Sequence, residues 1–328
     1  MRNVIKMREG IAVAGSILVD KINEISAYPK EGELTKILNI EKSVGGCVPN
    51  VAIDLKRICP KLPVKAFGKI GKDENGEYVK DVLSISGVDI TGLSVCEDKT
   101  SFTEVMSVAG GQWTFFTYAG ASANFGLIDV DLDKLNTKMI HLGYFLLLDK
   151  VDEGDGEKIL RESKKKGIKT SIDLVSENSH RYSVVLPCLK YVDNLIINET
   201  EAGALAGIEA KDGNLIEIAK KLKSFGVAER VSIHTHSLGI CVSDKGETVV
   251  PSYKLPEKFI VGTTGAGDAF CAGVLYGIYQ GKSDREILEF ASSVAVASLS
   301  KASATDGIGT EQDIQELCKG FNRKEICL

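Results

Sequence analysis

The stretch Val261-Gly262-Thr263-Thr264-Gly265-Ala266-Gly267-Asp268-Ala269-Phe270 decides how the rest of the chain is read. Gly265, Ala266 and Gly267 are small and lead straight into an apolar helical pattern over Asp268–Tyr279. Backbone N–H groups there converge on one point, with the positive end of a helix dipole behind them. That is an anion hole suited to a phosphate carrying developing negative charge. Asp268 stands beside it, where a carboxylate can accept the proton of an alcohol attacking that phosphate. The helix terminus also favours its ionised form. Taken alone, the same residues read first as a glycine-rich turn with Asp268 as a helix N-cap, and the longer context reverses that.

Outward from this stretch, β-branched and aromatic runs bounded by turn residues predict strands. They cover Ile11–Val19, Val64–Ile70, Thr100–Val108, Trp113–Tyr118, Met139–Leu148, Thr170–Leu174, Asn194–Ile197, Arg230–His236 and Gly239–Ser243. Helical patterns fall at Asn50–Ile58, Gly76–Ser86, Gly156–Lys166, Leu215–Phe225, Asp268–Tyr279 and Arg285–Leu299. From about residue 139 strands and helices alternate, the signature of a parallel sheet covered on both faces. Segments 17–44 and 98–122 break that order: they are rich in strand formers with little helical period. The second reads as a hairpin turning at Gly110-Gly111. The expected division is an α/β domain from 1–16, 45–97 and 123–328, with a β-lid from 17–44 and 98–122. No internal repeat or long linker separates the two.

The 328 residues are 44% hydrophobic and 26% charged, ordinary for a globular protein with a substantial core. Forty Lys+Arg against 45 Asp+Glu leave a net charge of −5, so no basic excess exists to neutralise nucleic-acid phosphates. Eight scattered cysteines without a CxxC pair fit reduced thiols in a cytoplasm. Arg2, Lys6 and Arg8 ahead of Ile11–Val19 imitate a secretory leader. Glu9, Asp20-Lys21 and the lack of a small-residue cleavage site instead predict a buried first strand. No run reaches the length of a membrane span. His234 and His236, two apart on a strand, would share a face able to hold a metal, but no Cys or Glu stands at ligand spacing. Gly281-Lys282-Ser283 lacks the preceding glycine of a Walker A loop, Tyr276 being there. Neither GxGxxG after the first strand nor GxSxG occurs, which argues against nicotinamide dehydrogenases and the usual hydrolases. Gly273 and Gly277, four apart, are expected to let their helix pack closely on the sheet.

Four motifs in order carry a resemblance. Thr263–Phe270 resembles the C-terminal signature of the ribokinase-like (PfkB) carbohydrate kinases. Gly45-Gly46-Cys47-Val48-Pro49-Asn50-Val51-Ala52 is similar to that family's N-terminal GGxxxN signature. Asn198-Glu199-Thr200-Glu201 resembles its NxxE motif, and Gly15-Ser16 with Asp20 resembles its first strand and substrate-binding acid. The resemblance spans roughly residues 10–310 and implies a three-layer αβα domain with a mainly parallel sheet plus a small β-sheet lid. It implies that Asp20, Gly45, Gly46 and Asn50 hold the acceptor alcohol. On their residues alone, Asp20 and Asn50 read equally as turn and capping groups. Asn198 and Glu201, three apart on a helix, offer oxygens able to hold hydrated Mg²⁺, or else form a capping box.

Departures from the family pattern matter as well. Gly262 stands where an acid usually helps to hold a monovalent cation, which argues against potassium activation. His234-Thr235-His236 replaces the T-x-G of the nucleotide side; Gly239, Thr264 and Ser292 complete that expected subsite. Leu18 and Cys47 replace polar contacts of ribokinase itself, which argues against ribose. The expected function is phosphorylation of a hydroxyl on a sugar or sugar-like substrate, with ATP and Mg²⁺ as cofactors. Asp268 is the expected base, and Gly265, Ala266 and Gly267 the anion hole. A nucleoside kinase of the same fold, with Tyr118 or Phe125 stacking on a base, is one alternative. A non-catalytic sugar-binding regulator is another. Trp113, Phe115 and Phe116 suggest a lid face that packs on a second subunit, giving a homodimer.

Overall fold

The first apolar run divides where a single strand was expected. In a computed structural model describing residues 8–108, 113–177 and 181–326, β1 (Ile11–Gly15) and β2 (Leu18–Ile25) belong to different sheets. Gly15 makes the turn possible: its φ is +138°, and a Cβ there would fall 2.4 Å from the Gly143 carbonyl oxygen. The chain continues through β3 (Ile37–Gly45), α1 (Cys47–Ile58), β4 (Val64–Gly71), α2 (Glu74–Ile85) and β5 (Asp89–Cys96). Next come β6 (Phe102–Ser107), β7 (Trp113–Tyr118), α3 (Gly120–Ala123), β8 (Met139–Phe145), α4 (Gly156–Lys165) and β9 (Lys169–Leu174). The C-terminal part holds β10 (Asn194–Asn198), α5 (Glu199–Ala206), α6 (Leu215–Ser224), β11 (Arg230–His234), β12 (Leu238–Ser243) and β13 (Gly246–Pro251). It ends with α7 (Ala266–Tyr279), α8 (Asp284–Ser298) and α9 (Glu311–Cys318).

Nine strands form the central sheet in the order β13-β12-β11-β10-β9-β8-β1-β4-β5. All pairings from β11 to β5 are parallel, and β12 and β13 close one edge antiparallel. Its middle strands are apolar throughout because helices cover both faces: Ile11, Val13 and Ala14 of β1 are fully buried. One core layer joins Leu142, Ile172 and Ile197 to Leu160, Leu205 and Leu222. The other joins Ile11 and Val13 to Val51, Leu55, Val274 and Leu288. The glycine pair in α7 serves a different contact from the expected one. A Cβ on Gly273 would lie 2.6 Å from Ala291 Cα, and one on Gly277 2.9 Å from Ile287, so these glycines bring α7 against α8 rather than the sheet.

The second sheet runs β3-β2-β6-β7, with β2 and β6 parallel and the outer pairs antiparallel. Its strands come from the segments expected to form a lid; the Gly110-Gly111 turn lies outside the described residues. A buried hydroxyl ties its two chain segments together at the base. Ser122 Oγ accepts from Ile17 N at 3.1 Å and donates to Ile17 O at 2.7 Å. The carboxyl end of β1 leads directly into β2 of this sheet, and such carboxyl ends are where α/β sheets bind ligands. No helix among the described residues is long and apolar enough to cross a membrane.

Candidate active site

Gly265 caps α7 in the left-handed region (φ +80°), and a Cβ there would strike Ala304 at 2.5 Å, so only glycine fits. The Ala266 N–H turns back to the Thr263 carbonyl at 3.3 Å and is engaged within the turn. Gly267 is exposed and lies on the wall of two adjoining cavities. Asp268 follows, 5% exposed, its Oδ2 accepting hydrogen bonds from Asn50 Nδ2 at 2.8 Å and the Tyr144 hydroxyl at 2.9 Å. Burial, reinforced by the Asp173 charge, pushes its carboxyl up to about 7 against the two donors. The helix terminus therefore does not hold this carboxylate fully ionised at neutral pH, contrary to expectation: loss of hydration outweighs the dipole.

The glycine pair between β3 and α1 sets the acceptor side. Gly46 has φ +88°, and a Cβ there would meet Ser16 O at 2.7 Å; one on Gly45 would fall 2.2 Å from Asp20 Oδ2. This close approach lets the Cys47 N–H reach Ser16 Oγ at 3.2 Å and draws Asp20 against the start of α1. Burial alone raises the Asp20 carboxyl to about 6. Asn50 reaches the base rather than standing apart from it, and its Oδ1 is buried with no partner among the described residues. Leu18 and Cys47 are both buried.

A cavity of about 640 Å³ runs from Thr200, His234 and His236 past Phe270 to Ser292 and Leu299. A second, of about 280 Å³, contains Tyr144, Asp173, Glu201 and Asp268, and the two share Asn198, His234 and Gly267. Asn198 and Glu201 form the capping box of α5: Asn198 Oδ1 accepts from Glu201 N at 2.9 Å, and Glu201 Oε2 from Asn198 N at 3.1 Å. Burial lifts the Glu201 carboxyl to about 8. Their oxygens already accept hydrogen bonds from neighbouring donors, so a cation in the adjoining cavity would meet them through water. A cation there would also relieve the burial that raises Glu201, so these residues fit hydrated Mg²⁺.

The histidines do not share a face. His234 ends β11, half-buried with its ring 4.8 Å from that of Phe270, and desolvation lowers it to about 4, so it is neutral at pH 7. His236 is exposed in the following turn, with Nε2 3.0 Å from Ser237 Oγ. Leaving the strand after residue 234 breaks the alternation that would have aligned the pair. Ser292 lines the larger cavity while its hydroxyl donates to Leu288 O at 2.8 Å. Gly239 sits on β12 against Phe270 and Leu288, and Thr264 is exposed; neither borders the cavities named here.

Two residues of the site escaped the sequence reading. Tyr144, at the end of β8 with φ +61°, donates to Asp268, while its own N–H donates to Asp173 Oδ1 at 2.6 Å. Only the small-then-aromatic step Gly143-Tyr144 at a strand end hinted at it. Asp173, an acid closing an otherwise apolar strand, carried a clearer signal. Phe125 is fully buried in the core and is no platform for a nucleobase; Tyr118 donates to Asp98 at 2.8 Å and packs on Phe102.

Comparison with known proteins finds relatives along most of the chain. The profile of the pfkB family carbohydrate kinases matches residues 9–311. A ribokinase of Haemophilus influenzae is 25% identical over 312 residues, covering 94% of this chain and 98% of that protein. A 5-dehydro-2-deoxygluconokinase of Clostridium perfringens is 26% identical over 303 residues, with 87% of each chain covered. The structure of Arabidopsis thaliana ribokinase complexed with ribose and ATP superposes with a TM-score of 0.83 at 24% identity, covering 95% of this chain and 99% of that one.

Proposed function

The chain belongs to the pfkB family of carbohydrate kinases, and we propose that it transfers a phosphoryl group from ATP to a hydroxyl of a sugar or sugar-like acceptor through Asp268. The observation that carries this reading is the Asp268 carboxylate, oriented by Asn50 and Tyr144 where the two cavities adjoin. In its ionised form Asp268 takes the acceptor's proton, and Tyr144 and Asn50 hold the carboxylate in place for that transfer. Asp20, on lid strand β2 beside Gly45, accepts from hydroxyls of the acceptor and orients it. The start of α7 around Gly267 faces the transferring phosphoryl group. ATP occupies the 640 Å³ cavity with its polyphosphate toward Asn198. Mg²⁺, held through water by Asn198 and Glu201, supplies charge neutralisation of that polyphosphate. The lid shields the acceptor from water, and we propose a homodimer formed through it.

ADP release with Mg-ATP across sugars, sugar acids and nucleosides tests the reading, with Asp268→Asn beside the wild type. Acceptor-dependent turnover reduced about 10²- to 10⁴-fold in Asp268→Asn supports the base. Equal turnover in the two proteins refutes it.

A further inference from the structure

At one wall of the 280 Å³ cavity lies a group of ligand-type side chains to which the proposed reaction gives no role. Cys47 opens α1, His141 lies on β8 and Asp173 on β9; each presents one ligand atom, all three residues are buried, and the three atoms lie within 4.8 Å of one another. Cys271, one turn beyond Asp268 on α7, adds a fourth, with Sγ 3.5 Å from His141 Nε2. His141 Nε2 lies 3.3 Å from Asp173 Oδ2. Around a tetrahedral ion with bonds of about 2.0–2.3 Å, neighbouring ligand atoms are separated by about 3.3–3.8 Å. Both measured edges already have that length.

Surrounding residues prepare the same arrangement. Gly143 leaves the space: a Cβ there would fall 1.9 Å from Cys47 Sγ and 2.9 Å from Asp173 Oδ1. Ser171 Oγ donates to Ile140 O at 3.4 Å and lies 3.0 Å from His141 Nδ1. With Nδ1 turned to Ser171, Nε2 is the ring nitrogen that faces Asp173 and Cys271. A hydrogen-bond partner behind the imidazole is the usual support of a metal-ligating histidine.

We infer that Cys47, His141, Asp173 and Cys271 form a binding site for a thiophilic divalent cation of the zinc class. The ion enters from the 280 Å³ cavity, whose wall includes Asp173 and Cys271. Two S–H bonds are exchanged for two sulfur–metal bonds, and the two protons leave to solvent. The +2 charge replaces them, so the net charge of the buried cluster is unchanged. Cysteine and histidine with a single carboxylate select zinc over magnesium or calcium, which prefer all-oxygen shells.

Titration of the reduced full-length chain with Co²⁺, followed by displacement with Zn²⁺, tests this. One equivalent is expected to bind with a tetrahedral visible spectrum and sulfur-to-cobalt charge-transfer absorption. That absorption should fall by about half in Cys47→Ser and in Cys271→Ser and vanish in the double variant. Cys318→Ser, which alters a buried thiol bonded to Ser293 O, should match the wild type. A spectrum without charge transfer, or one that both serine variants leave unchanged, overturns the site. Thermal melts in chelator report whether those variants fold. If they do not, Ser171→Ala carries the test: affinity about tenfold weaker supports the site, and unchanged affinity refutes it.

Discussion

Asp268 is pulled two ways: burial and Asp173 favour its proton, while Asn50 and Tyr144 favour the charge, leaving it at about 7. A base works only when deprotonated, so kcat/KM should rise with pH and level off above about 7. Below that it should fall tenfold per pH unit. Tyr144→Phe removes one donor to the carboxylate and should move this limb to higher pH; an unchanged limb would show that another group controls it. Asp54 makes a separate prediction. It is fully buried on α1, both oxygens have no partner among the described residues, and burial, with Asp268 adding to it, raises its carboxyl well above the usual range. The unfolded chain sheds this proton above about pH 4, whereas the folded chain keeps it. Stability therefore declines as pH rises from there toward the folded-state value. Asp54→Asn should flatten the pH dependence of urea midpoints between pH 5 and 8, and an unaltered slope would exclude Asp54 as its source. The motifs announced Asp268 and Asn50 because glycines and amides there serve a fixed geometry. Tyr144 gave little sign, since its role depends on a left-handed backbone at a strand end.

At the level of elements, α7 and α8 meet through glycine. Gly273→Ala should gain about 1 kcal/mol from helix propensity. The new methyl would sit 2.6 Å from Ala291 Cα, which is backbone and cannot rotate aside. Overpacking of this kind costs about 1–3 kcal/mol. A lower Tm is therefore expected, and a higher one would mean that α8 can retreat. The buried strands were legible because both their faces are covered and their sequences are apolar throughout. β5, β13 and α9 were not recognised. β5 and β13 lie at the sheet edges, half exposed, where Asp89-Ile90-Thr91-Gly92 and Gly246-Glu247-Thr248 mix polar and glycine residues into the run. α9 buries only part of one face, Ile314 and Cys318. The break between β1 and β2 was hidden for the opposite reason: Ile17 and Val19 are as buried as β1 itself, so hydrophobicity does not change where the chain leaves one sheet for the other.

For the molecule as a whole, the open question is what the lid's second face does. Asp20 shares one face with Thr103, its parallel partner across the ladder. The opposite face carries Ile40 and Phe116 on the two edge strands, 64% and 58% exposed. Between them Glu104 binds Lys21 at 3.2 Å and Asn23 at 2.9 Å, so the polar centre of that face is already satisfied. Large apolar groups around a paired polar centre, on strands whose outer edges are unpaired among the described residues, suit burial against an identical surface. Sedimentation at tens of micromolar should give a dimer. Ile40→Lys with Phe116→Lys should yield a folded monomer, because two like charges per subunit would be brought together in the interface. Neither side chain lies on the Asp20 face, so the monomer's altered kinetics would report on lid support rather than on lost acceptor contacts. The expected pattern is a raised KM for the acceptor with KM for ATP unchanged, since the 640 Å³ cavity is lined entirely by main-domain residues. A wild-type chain that sediments as a monomer, or a double variant that stays dimeric, would remove the lid from the interface.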